Sequence, residues 1–126
     1  LRAVGALAMS LVALVDDELV GQATFSPASQ SDGSGPWYAL GPIAVHPCHQ
    51  SLGIGSAMIA EGFKRLQERS ALGCILTGNP AYYERFGFVL SPRSAPMTEL
   101  SQYFQVNFLT DFRPQGTFSF HQAFYG

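Results

Sequence analysis

Residues 41 to 56 read Gly-Pro-Ile-Ala-Val-His-Pro-Cys-His-Gln-Ser-Leu-Gly-Ile-Gly-Ser: an apolar stretch, a polar loop with two glycines, then the start of an amphipathic segment. A loop at the head of a helix can aim several main-chain N–H groups at one point, reinforced by roughly half a unit of positive charge. Gly53 and Gly55 place no Cβ between that backbone and a guest. The guest such a loop suits is a phosphate or diphosphate. A Walker loop needs Gly-Lys-Ser/Thr, and the loop has no lysine. A GxGxxG dinucleotide fingerprint fails at Met58, where its third glycine should stand. The spacing Q/R-x-x-G-x-G/A is met by Gln50, Gly53 and Gly55. By itself that pattern is weak, and a glycine turn that merely opens a helix competes with it.

A second segment follows one strand later: Asn79-Pro80-Ala81-Tyr82-Tyr83-Glu84-Arg85-Phe86-Gly87-Phe88. Pro80 suits the first position of a short helix, and Gly87 suits its left-handed stop. In this order and at this spacing, the two segments resemble the GNAT superfamily of acyl-CoA N-acyltransferases. Within it the chain looks like the small acetyltransferases that carry a PAYYxRFGF element. The resemblance runs from about Leu11 to Phe88 and more loosely beyond.

The resemblance implies a fold and a site. The fold is a mixed α/β (α+β) one, with a mostly antiparallel sheet and a central, splayed parallel strand pair. The first strand and two helices usual in the family are expected to be largely absent from residues 1–126, which form one N-acetyltransferase domain, N-terminally incomplete. Acetyl-CoA is the implied co-substrate, with no metal. The strand ending at Ile43, Ala44 and Val45 offers its edge to the pantetheine arm. Main-chain groups of Gln50, Ser51, Leu52, Gly53, Ile54, Gly55 and Ser56 hold the diphosphate, and Asn79 joins the cofactor contacts. Tyr83, four residues before the helix-ending glycine, is the implied general acid for the departing thiolate. The family's common glutamate base has no counterpart, because 37–45 contains no carboxylate. Water relayed to a backbone carbonyl, or a base outside residues 1–126, is the fallback, with His46 the nearest titratable group.

Other residues have simpler readings. Tyr82 is expected to pack, Glu84 and Arg85 to face solvent, and His46 and His49 to sit in a solvated loop. The phenylalanines 104, 108, 118, 120 and 124 are expected in the core rather than in an acceptor pocket. Cys48 has no activating partner pattern, and direct transfer needs no acyl-enzyme.

The elements that must position these residues follow from periodicity. Leu11–Val15 and Leu19–Phe25, joined by Asp16-Asp17-Glu18, read as a hairpin. Ser26–Gly35 reads as an exposed loop. Trp37–Val45 is a strand that Gly41-Pro42 must bulge or splay. Ile54, Met58, Gly62 and Leu66 form the apolar stripe of a helix reaching about Ser70, with Ile59 and Phe63 beside it. Gly73–Thr77 is a buried strand, and Tyr103–Leu109 and Gly116–His121 are strand-like. Leu1–Ala8 is expected to end a helix; the apolar run there meets Asp16 too soon to span a membrane.

Composition narrows the function classes. The 126 residues are 47% apolar and 13% charged, with a net charge of -2, so disorder and a polycationic nucleic-acid footprint are excluded, and anionic membrane surfaces are disfavoured. Two cysteines make neither a disulfide framework nor a zinc ribbon, and reduced thiols fit a cytoplasmic protein. The expected activity is acetyl transfer to an amine of a small molecule or peptide. A CoA-binding module without catalysis and a nucleotide-binding protein are the rivals, and a homodimer through the C-terminal strands is left open.

Overall fold

In the computed structural model, which describes residues 9–50 and 53–120, Asp16 and Asp17 take positive φ of 51° and 67°. Two such residues in a row make the hairpin turn whose twist matches its strands, and aspartate is among the side chains that tolerate this conformation. The turn joins β1 (Met9–Val15) to β2 (Glu18–Gln30). There follow β3 (Trp37–Val45), α1 (Ile54–Glu68), β4 (Gly73–Thr77), α2 (Pro80–Tyr83), β5 (Val89–Leu90), β6 (Phe104–Phe108) and β7 (Phe118–Phe120). The strands form one sheet in the order β1-β2-β3-β4-β6-β5, and β7 pairs with β2. Every pair is antiparallel except β3 with β4, the two strands joined through α1.

The period-two alternation of β3 and β4 divides the interior in two. Tyr38, Leu40, Cys74 and Leu76 point to the face that packs against Met58, Ile59 and Leu66 of α1. Trp37, Ala39 and Ile75 point the other way, to Phe104, Val106, Phe118 and Phe120. Gly62 lets the helix lie directly on β2, because a Cβ there would run into the Phe25 ring. The stripe expected of α1 is therefore its buried face, and the core reading holds for the described phenylalanines. Phe124 and Leu1–Ala8 lie outside the described residues.

Two expectations are corrected. Ser26–Gln30 is not loop but the second half of β2, paired with β3 through Ser26↔Ala39, Pro27↔Tyr38 and Ala28↔Trp37. Among the described residues its other edge pairs with β1 up to Phe25 and with β7 from Ala28 to Gln30. Two tertiary partners thus override a turn-like composition. The second correction is β5, two exposed residues on the edge of β6 that carry no alternation signal.

Candidate active site at the fork between β3 and β4

β3 and β4 pair only through Trp37↔Gly73, Tyr38↔Cys74 and Ala39↔Ile75. Beyond that point they diverge. The cause lies on the β2 side: Leu40 opposes Phe25 and Ile43 opposes Ala23, so Gly41 and Pro42 together face Thr24. That is a β-bulge, with Gly41 at φ 148°, and it bends the strand as the sequence led one to expect.

The loop after β3 is tied back to the strand end. The His46 N–H donates to Val20 O at 2.7 Å, and Gln50 Nε2 donates to Val45 O at 3.0 Å. Gly53 caps α1 with φ 81° and has no side chain to accept from the first turn, which also carries no acidic residue. The N–H groups that open this helix therefore get no side-chain acceptor from their cap residue, an arrangement suited to an anion. Ser51 and Leu52 lie outside the described residues.

The tyrosine segment is fixed from two sides. Asn79 Oδ1 accepts from the Ala81 N–H at 3.0 Å and so caps α2. The segment tightens into a 3-10 turn over Glu84–Phe86 and stops at Gly87, φ 95°. Two buried amides of β6 hold it: Gln105 Nε2 donates to Gly78 O at 2.9 Å, and Asn107 Nδ2 donates to Phe86 O at 2.8 Å. Gly78 makes room for the Tyr83 ring, since a Cβ there would stand 2.9 Å from its Cε2. Tyr83 is half-buried, and burial, with Tyr82 beside it, raises its phenol above the ordinary value of 10.0.

These pieces enclose a cavity of about 530 Å³, within the range of ligand sites. Of the sequence-expected residues, Ile43, Ala44, Val45, Gln50, Gly53, Ile54, Gly55, Ser56 and Tyr83 line it. Asn79 does not; its side chain is spent on the cap. Three further residues line it, His49, Tyr82 and Arg85. The last two were expected in packing and in solvent, yet they stand three positions apart on one helical face, a spacing that could have paired them. Cys48 is exposed and outside the cavity lining, and burial pushes the Cys74 thiol far up. Among the described residues no group of three His, Cys, Asp or Glu is placed to hold a metal ion.

Comparison with known proteins agrees with this geometry. Residues 4–88 match the model of the Acetyltransferase (GNAT) family. The uncharacterized N-acetyltransferase YhbS of Escherichia coli K12 is 32% identical over 117 residues, which cover 88% of this chain and 69% of that protein. The crystal structure of YhbS in complex with CoA matches with a TM-score of 0.87 at 28% identity, covering 99% of this chain and 73% of that one. A GNAT acetyltransferase from Brucella melitensis in complex with acetyl-CoA matches with a TM-score of 0.78 at 39% identity, covering 98% and 72%. By its sequence and by its fold, this chain belongs to the GNAT family of N-acetyltransferases and is an acyltransferase.

Proposed function

We propose that the protein moves an acetyl group from acetyl-CoA directly to an amine of a small molecule or peptide. One observation carries the reading: a single cavity joins the open edge of β3, the glycine-capped start of α1 and the Tyr83 phenol. In it, main-chain groups of Ile43 to Val45 take the pantetheine amides, and the N–H groups around Gly53 to Ser56 take the diphosphate. The reacting thioester then sits between the diverging strands, near Tyr83. Attack by the neutral amine forms the C–N bond and puts negative charge on the acyl oxygen. Collapse breaks the C–S bond, and Tyr83 donates its proton to the departing sulfur. The amine proton leaves to water, since β3 offers no carboxylate.

A thiol of pKa about 8.5 is a good leaving group, so a phenol held at hydrogen-bond distance supplies enough assistance. Direct transfer is supported by the two cysteines, one exposed away from the cavity and one buried with its thiol pushed up. The two free thiols support a cytoplasmic setting for the reaction. Tyr83→Phe tests the assignment: kcat should fall about a hundredfold, with acetyl-CoA affinity by calorimetry unchanged. Undiminished turnover in that variant would remove Tyr83 from the chemistry, and a wild-type chain that binds acetyl-CoA without releasing thiol to any amine would be a binding module.

A further inference from the structure

Among the residues that line the cavity, Arg85 carries the one permanent positive charge, and no carboxylate lines it. Its guanidinium lies over the Tyr82 ring, 4.8 Å from the centroid, and its Nε donates to Tyr82 O at 3.0 Å. Both restraints come from three positions back on the same helical segment. They fix the direction of the guanidinium fork, and among the described residues no carboxylate stands within ion-pair distance of it. Tyr82 in turn reaches over the start of α1, where a Cβ on Gly55 would lie 3.2 Å from its hydroxyl.

A braced cation and the N–H groups that open α1 therefore line the same cavity, and Gly53 at the cap has no side chain to accept from them. Two independent sources of positive potential converge on one cavity, and an arginine already held in place loses little freedom when an anion arrives. Planar guanidinium groups bind phosphate oxygens through paired N–H donors. We infer that Arg85, braced by Tyr82, grips a phosphate oxygen of the cofactor's nucleotide half and sets the preference for intact CoA over its shortened forms. This rests on the acetyl-CoA reading above.

Calorimetric titration of the full chain and of Arg85→Gln with CoA, 3′-dephospho-CoA and pantetheine tests it. Arg85→Gln should weaken CoA about tenfold and leave pantetheine within twofold, with a shallower salt dependence for CoA. If dephospho-CoA escapes the loss, the gripped group is the 3′-phosphate; if it shares the loss, the diphosphate. Arg85→Lys, which keeps the charge and loses the fork, should fall between. An equal loss on all three ligands, or no loss on CoA, overturns the assignment of Arg85 alone. A wild-type chain that binds none of the three overturns the acetyl-CoA reading and this assignment with it.

Discussion

At the scale of single residues, the proposed chemistry depends on a phenol kept protonated. Burial penalises the Tyr83 anion, so its ionisation lies above the ordinary value of 10.0. The unfolded chain then releases this proton at lower pH than the folded one. The group's contribution to stability is complete below about pH 10 and is lost as pH rises through the folded value. For catalysis the same shift predicts that kcat shows no alkaline decline assignable to Tyr83 until above pH 10. A pH–rate profile of wild type against Tyr83→Phe checks this, and a descending limb at neutral pH that the variant abolishes would contradict it. Proline and glycine bracket the short helix in the sequence, but only the resemblance to the family singled out Tyr83 within it. Its neighbours Tyr82 and Arg85 were not, since exposure and cavity lining depend on what packs alongside.

At the scale of elements, α1 must lie close enough to the sheet for its first turn to meet the fork. Gly62 provides that approach by leaving space for the Phe25 ring. Gly62→Ala should therefore cost about 1–3 kcal/mol, the usual penalty of overpacking, and lower the melting temperature. It should also weaken CoA binding, because lifting the helix moves its first turn. Thermal melts and titrations on Gly62→Ala and on Gly62→Ala/Phe25→Leu should show the second change restoring both. The stripe that Gly62 belongs to was readable from spacing alone, and so were the bounds of β3 and β4. By contrast, Gln105 and Asn107 announce nothing in the sequence. They look like ordinary strand residues until Gly78 O and Phe86 O arrive as acceptors from the tyrosine segment.

At the scale of the whole molecule, the second core ties the chain's late strands to its central pair. Trp37 meets Phe118 of β7 edge-on at 4.8 Å and Phe108 of β6 at 6.4 Å, and its Nε1 donates to Ser34 Oγ at 2.9 Å. Phe118→Ala should cost about 3–5 kcal/mol, loosen β7 and shift the emission of Trp37, the one tryptophan, to the red. Denaturant unfolding followed by fluorescence gives both numbers, and a loss under 1 kcal/mol would show that β7 contributes little. By itself the sequence determined what near neighbours decide: the aspartate hairpin, the bulge at Gly41-Pro42, the stripe of α1 and the two motifs that flank β4. Those follow from backbone sterics and from the repeat lengths of helix and strand. Only the tertiary structure decided that Ser26–Gln30 is strand, that β7 closes on β2, and that Tyr82 and Arg85 join the cavity. Each of these depends on a partner far away along the chain, and no local pattern records where such a partner will stand.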